Sequence, residues 1–385
     1  MFSICANAYW STINTVGIIE ASIERKALSG GRVTLEEAAF LLTEADIHWL
    51  GALAHEIRTE RHGDRTYVVA NRHINYTNIC QNRCLFCSFG ADAGDDGAYF
   101  LKPDEIVKSL KSDGVDDARE FHIVGAVPPR ELADYGYFRR ILTELRTAFP
   151  EVQLKAFTAV EIAWMAELSG MSVRDTLIDL KEAGLNAMPG GGAEVFAPEV
   201  RAKICPDKIS GDEWLAVHCT AHELKIPTNA TMLYGHVETP KQKAEHLLKL
   251  YDLQAETRGF QAFIPLAYHP AGNRLGGELT TGIEDLRHVA ASRVALNNFP
   301  HIKAYWVEYG LKLAQVMLLW GADDMDGTVG HELIYHAAGA SAPKGVTISE
   351  LAGIIRDAGL KPIMRDALYR DMREFEPVDE DAQEV

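Results

Sequence analysis

Asn78-Ile-Cys80-Gln-Asn-Arg-Cys84-Leu-Phe-Cys87-Ser-Phe-Gly90 puts three cysteines on one short stretch with the spacing C-x3-C-x2-C. Three thiolates so placed can take three corners of a [4Fe–4S] cube, a cluster that normally has four cysteine ligands. The other cysteines, Cys5, Cys205 and Cys219, are remote in sequence, so one iron is left open. An open iron suits S-adenosylmethionine (SAM), whose amino and carboxylate groups can chelate it. Zinc is the competing reading. Structural zinc sites are four-coordinate and use paired knuckles. A second knuckle is missing, although His73 or a remote cysteine could complete a tetrahedron. Phe86, just before the last cysteine, reads either as a ring against an adenine or as a core residue.

Outward from this loop the chain alternates. Short apolar or β-branched runs predict strands near 71–77, 120–124, 153–157, 186–188, 228–233, 260–264, 302–306 and 323–325. Amphipathic stretches predict helices over 103–111, 137–148, 160–168, 211–224, 241–256, 283–297 and 312–319. Ser210-Gly-Asp-Glu213 is a capping-box signal, and Lys102-Pro-Asp-Glu105 puts Pro and acids in a first turn. Such alternation argues for parallel βαβ units. The expected fold is α/β, a (β/α)8 TIM-type barrel. Its expected divisions are a helical extension over 1–65, with a helical pattern over 33–58, a barrel over 66–335, and a C-terminal appendix with an acidic tail over 336–385.

Composition narrows the function classes. The formal net charge of −17 disfavours binding to nucleic acid or to an anionic membrane, which lysine and arginine would drive. No apolar run is long enough for a transmembrane helix, and the N-terminus lacks the basic start of a signal peptide. A cytoplasmic location is expected. Six cysteines, three of them clustered, point to metal rather than to disulfides.

In such barrels the site gathers at the C-terminal ends of the strands. The residues there are Gly125, Glu161, the Gly190-Gly191-Gly192 turn with Glu194, then His236, His269, Arg274 and Asp326. The glycines read as a close approach of backbone to a ligand or as a plain turn. Glu161 lines the barrel mouth or starts a helix. Glu194 accepts from a ligand or caps the next helix. His236 and His269 read as proton-transfer or structural residues, and Asp326 as an orienting residue or a turn.

Asn75-Tyr-Thr-Asn-Ile-Cys80, leading into the cysteines, resembles the radical SAM group that makes menaquinone by the futalosine route and the deazaflavin cofactor. Further likeness lies in Lys155-Ala-Phe-Thr-Ala-Val-Glu161, Met188-Pro-Gly-Gly-Gly-Ala-Glu194, Pro227–Glu238, Gly259–His269, His301–Trp306 and Gly321–Thr328. Coverage is about residues 30 to 370, and the set is most similar to the aminodeoxyfutalosine synthases. The dehypoxanthine futalosine cyclases are the alternative. One departure is His122-Ile-Val-Gly-Ala126, where a second glycine is expected in place of Ala126.

The resemblance implies a [4Fe–4S] cluster on Cys80, Cys84 and Cys87, with SAM as co-substrate. It implies addition of the 5′-deoxyadenosyl radical to 3-[(1-carboxyvinyl)oxy]benzoate. Aryl migration and loss of the carboxyl group then give 6-amino-6-deoxyfutalosine. An electron donor such as flavodoxin or ferredoxin is implied as partner. Phe86, Gly125, Glu161, Gly190, Gly191, Glu194 and Arg201 are the expected cofactor contacts. His236, His269, Arg274 and Asp326 are the expected catalytic residues. Arg201 and Arg274, with Arg293 behind them, are candidates for the two substrate carboxylates, which call for arginine forks.

Overall fold

Strand–helix alternation with parallel pairing dominates the computed structural model, which describes residues 17–115 and 117–375. The N-terminal ten residues, Cys5 and the acidic tail lie outside the described residues. Eleven strands are present among the described residues: β1 (Arg65–Val69), β2 (Asn71–Ile74), β3 (Glu120–Ile123), β4 (Gln153–Ala156), β5 (Leu185–Ala187), β6 (Thr228–Tyr234), β7 (Phe260–Ala267), β8 (His301–Ile302), β9 (Asp324–Gly327), β10 (Lys361–Arg365) and β11 (Met372–Glu374). They form three ladders, β2-β3-β4-β5, β6-β7-β8 and β11-β10-β1-β9.

Single parallel bridges link the ladders: Met188 with Thr228, Lys303 with Asp324, and Arg72 with Gly330. The pairing thereby runs from β2 round to β9 and back to β2, with every pair parallel. This is the circuit expected of eight barrel strands with helical crossovers.

Local chemistry accounts for the helix limits. Ser210 Oγ accepts from the Glu213 amide at 3.2 Å, and the Glu213 carboxylate accepts from the Ser210 amide at 2.7 Å, closing the expected box. Boxes of the same kind start the helices at Thr158, Thr239, Thr281 and Thr347. The 33–58 pattern divides into two helices, Leu35–Thr43 and Ile47–His62, because Asp46 caps the second by accepting from the His48 and Trp49 amides.

Several elements differ from the sequence expectation. In the 302–306 run the strand is only His301–Ile302, extended by the single bridge at Lys303, and Trp306 opens a helical turn with its indole donating to the Gly327 carbonyl at 2.8 Å. Gly310, at φ +76, separates that turn from the helix Leu311–Met317. Helices Val173–Ala183 and Pro198–Ile204 are additional. So is β1, continuous with β2, and beside it β10, from the C-terminal segment.

The interior under the strands is charged as well as apolar. Glu120 on β3 meets Lys155 on β4 at 2.7 Å, and both are fully buried. Asp324 on β9 accepts a two-pronged contact from Arg365 on β10, at 2.6 and 3.2 Å. Asp326 pairs with Lys303 and lies 3.7 Å from Arg365. Three carboxylates thus face three cations, the arrangement that makes buried charge tolerable.

Candidate active site

The cysteine loop follows β2 and is held by backbone bonds to three other loops. Gln81 donates to the Val127 carbonyl after β3 at 2.8 Å, and Leu85 to the Ile204 carbonyl after β5 at 2.8 Å. Arg274 and Leu275, after β7, donate to the Leu85 carbonyl at 2.9 and 3.0 Å. Three strand ends therefore fix one loop, as a rigid metal site requires.

Cys80, Cys84 and Cys87 line one wall of a cavity of about 520 Å3. None is in a disulfide. Burial pushes the Cys84 thiol up to about 12, against the pull of Lys208, and burial raises Cys80 as well. Thiolates there call for positive charge, which iron supplies on ligation. Three thiols converging on a cavity with room beside them fit a cluster with one open corner. Cys205 is brought near by the Leu85–Ile204 bond, but it does not line the cavity.

The cavity gathers ten of the fourteen expected site residues: the three cysteines, Phe86, Gly125, Glu161, Gly191, Glu194, His269 and Arg274. Glu161 both starts its helix and faces the cavity. One carboxylate oxygen accepts from Tyr76 Oη at 2.6 Å and from the Gly125 amide at 3.2 Å; the other accepts from the Thr158 amide at 2.7 Å. Burial nevertheless raises its carboxyl above the ordinary value. Gly125 is required by contact, since a Cβ there would sit 2.6 Å from the Tyr76 ring. Glu194 adopts φ +47 and meets Lys208 Nζ at 2.6 Å. Arg274 lies exposed on the rim and donates to the Arg83 carbonyl at 2.9 Å. His269 stands edge-on to Tyr335, with ring centroids 5.5 Å apart.

The other four lie off the cavity wall. Gly190 allows close packing of strand on strand, because a Cβ would be 2.8 Å from the Ala230 and Asn229 backbone. Arg201 is buried and donates to the Ala193 and Ile209 carbonyls at 2.7 and 2.5 Å, tying the glycine turn to the next loop. His236 has both ring nitrogens engaged: Nδ1 accepts from the Val237 amide at 2.8 Å and Nε2 donates to the Leu233 carbonyl at 3.0 Å. Asp326 belongs to the charged interior. Burial opposes its ionisation, but Lys303 and Arg365 outweigh that and hold its carboxyl down to about 2. Arg293 is buried against Asp323 and the Gly321 carbonyl, away from the cavity.

Lys208 is the principal residue that sequence reasoning missed. Its ammonium is 5.2 Å from the Phe86 ring centroid as well as bonded to Glu194. Burial alone would lower its pKa, but Cys84, Glu194 and Cys205 raise it well above the ordinary value, so it is cationic. Tyr268 and Tyr335 also line the wall. The available signal for Lys208 was its place in Cys205-Pro-Asp-Lys208, the tight link before the Ser210 cap.

Comparisons with known proteins identify the family. A model of the radical SAM superfamily matches residues 74–250, and one described as the CofH/MqnC C-terminal region matches 257–378. The chain is 45% identical to the aminodeoxyfutalosine synthase of Thermus thermophilus over 93% of its own length and 97% of the relative's. It is 42% identical to that of Streptomyces coelicolor, over 94% and 96%. A relative in Methanococcoides burtonii, 38% identical over 92% and 100%, is a 5-amino-6-(D-ribitylamino)uracil–L-tyrosine 4-hydroxyphenyl transferase. Among solved structures, methylornithine synthase superposes with a TM-score of 0.71 at 16% identity, over 88% of this chain and 97% of that one, a likeness of fold.

Proposed function

Because the chain belongs to the radical SAM superfamily and, within it, to the group of the aminodeoxyfutalosine synthases, we propose that it joins the adenosyl group of SAM to 3-[(1-carboxyvinyl)oxy]benzoate. The adenosyl carbon bonds to the vinyl CH2, and the aryl group moves from oxygen to carbon. The resulting oxygen-centred radical becomes the ketone as the carboxylate leaves as the carbon dioxide radical anion, which carries off the electron that cleaved SAM, and methionine is released. The product is 6-amino-6-deoxyfutalosine, for menaquinone biosynthesis. The observation that carries this reading is a single cavity lined by the three cysteines and, on its rim, by Arg83 and Arg274.

Held by Cys80, Cys84 and Cys87, a [4Fe–4S] cluster would supply the electron needed to cleave the sulfonium C–S bond of SAM. The chain's own residues bind and orient. Cys80, Cys84 and Cys87 are the iron ligands. Lys208 faces the SAM carboxylate, and Glu194 the ammonium or the ribose hydroxyls. Phe86 packs against the adenine. Gly191, with nothing but Thr158 Cγ2 near its missing Cβ, lets backbone approach SAM. The Tyr76–Glu161–Gly125 contacts hold the loop after β3 in shape. Arg274 takes a substrate carboxylate, a use suited to an exposed guanidinium with one backbone bond. His269, on the wall, serves the late proton transfers. His236, Arg201, Gly190 and Asp326 act by positioning. The barrel over 66–335, the extension over 1–65 and the segment over 336–385 are part of the same proposal, as is a flavodoxin or ferredoxin as reductant.

The test is anaerobic reconstitution with iron and sulfide, reduction, and supply of SAM with either 3-[(1-carboxyvinyl)oxy]benzoate or dehypoxanthine futalosine. A product carrying both adenosyl and benzoate parts, abolished by Cys84→Ala, supports the reading. Turnover of dehypoxanthine futalosine with release of free 5′-deoxyadenosine would make the chain a cyclase instead.

A further inference from the structure

A second cavity, of about 360 Å3, lies at the other end of the strands. The segments leading into β6, β7 and β8 form it, closed by the turn between β10 and β11. Its lining includes Lys225, Arg258 and Arg370, with His222 and His301, and no carboxylate. Among the described residues, none of these three cations has a side-chain hydrogen bond or a salt bridge. In a chain of net charge −17, that is a local concentration of free positive charge.

The backbone reinforces the point. Lys225 and Arg258 have φ of +59 and +53, a region that disfavours residues with a side chain. Other helices of this chain end on glycine in that conformation, at Gly114 and Gly170. At the two helix ends beside this cavity the chain carries cations instead. A helix C-terminus favours a nearby cation, but it does not require one at a left-handed position. His301 forms the inner wall. Its Nδ1 is held by Asp323 at 2.5 Å and its ring stacks on Tyr369 at 3.9 Å, so the Nε2 edge is the one left for the cavity.

We propose that this cavity is a second ligand site, for a small phosphate-bearing anion, independent of the cysteine-lined cavity. A lone carboxylate is satisfied by one arginine fork. Two guanidinium groups, one ammonium and an imidazole edge around one small volume suit a compact dianion with three or more acceptor oxygens. Lysine as a point charge and arginine as a fork are both used to bind phosphate.

The test is calorimetric titration of the cluster-loaded full chain with inorganic phosphate and with pyrophosphate, at constant ionic strength. Saturable one-to-one binding in the millimolar range or tighter is expected. The double variant Lys225→Gly/Arg258→Gly suits the local backbone, so it keeps the wild-type melting temperature. It binds about 100-fold more weakly, roughly tenfold for each lost charge-assisted contact. Arg370→Gln, at an exposed position, is the second variant and weakens binding by about tenfold. Absence of saturable binding to the wild type overturns the proposal. Equal affinity in wild type and variants overturns it too, because the anion would then sit elsewhere.

Discussion

Replacing Arg365 by Met should be among the most destabilising single changes in this chain, although Arg365 lies far along the sequence from the cysteine loop. The guanidinium is fully buried. It makes two contacts with Asp324, at 2.6 and 3.2 Å, donates to the Asp366 carbonyl at 3.2 Å, and lies 4.3 Å from the Tyr369 ring centroid. It also lies 4.0 Å from Glu120 and 3.7 Å from Asp326. Without it the interior holds three carboxylates and two cations, leaving one buried negative charge uncompensated. Removing one partner of a buried pair costs about 3–5 kcal/mol. At roughly 1.2 °C per kcal/mol for 385 residues, the melting temperature falls by about 4–6 °C. Arg365→Lys keeps the charge but loses the fork, so its loss is smaller. Asp324→Asn/Arg365→Met removes both charges, and its cost is below the sum of the single changes by about 1–3 kcal/mol. Thermal scans of the cluster-loaded protein would measure Arg365→Met, Arg365→Lys, Asp324→Asn and the double variant. A shift under about 2 °C for Arg365→Met, or strict additivity in the double variant, would refute the reasoning.

Three further outcomes follow from the same geometry. Lys303 holds the Asp326 carboxyl down to about 2 despite its burial; a depressed carboxyl stabilises above its unfolded value and loses that contribution as pH falls through the folded one. The stability gap between wild type and Lys303→Met therefore closes between about pH 4 and pH 2, and a gap of constant width in acid titrations contradicts the pairing. Gly190→Ala forces a Cβ to 2.8 Å from strand backbone and destabilises by about 1–3 kcal/mol or more, whereas Gly191→Ala, 3.0 Å from one methyl of Thr158, keeps the fold and loses SAM affinity; melting and equilibrium dialysis separate the two. Burial, with help from Asp285, raises the Glu308 carboxyl well above its ordinary value, which favours the neutral form. Glu308→Gln then stays within about 1 kcal/mol of wild type, while Glu308→Ala strands the Ala267 amide and costs about 1–3 kcal/mol; equal losses in denaturation would show the group to be ionised.

Strand–helix alternation was legible because β3, β4, β6 and β7 are each followed by a helix with a side-chain cap, at Asp134, Thr158, Thr239 and Thr281. β1 and β10 were not. Arg65–Val69 and Lys361–Arg365 are short runs that pair with each other from distant parts of the chain, β1 pairing also with β9 and β10 also with β11. The helix Val173–Ala183 has a readable Ser172 cap but is a second helix within one crossover, which alternation alone does not anticipate. The cysteine loop was legible because its ligands are local in sequence. Lys208 was not, since it reaches the site only where the loop after β5 meets Phe86. Charged residues at strand ends are ambiguous in sequence for the same reason. Arg274 faces the cavity, while Arg201 and Asp326 find partners in the Ile209 carbonyl and in Lys303, which only the folded chain brings near.

The fate of the adenosyl carbon separates addition to the alkene from hydrogen abstraction. SAM carrying carbon-13 at the adenosyl 5′ position, and 3-[(1-carboxyvinyl)oxy]benzoate carrying carbon-13 at its vinyl CH2, would be given to the reduced, cluster-loaded enzyme. Addition predicts one-bond carbon–carbon coupling between the two labels in the isolated product, absent with Cys80→Ala, Cys84→Ala or Cys87→Ala. Recovery of the adenosyl label only in free 5′-deoxyadenosine, with the vinyl label unbonded to it, would contradict it.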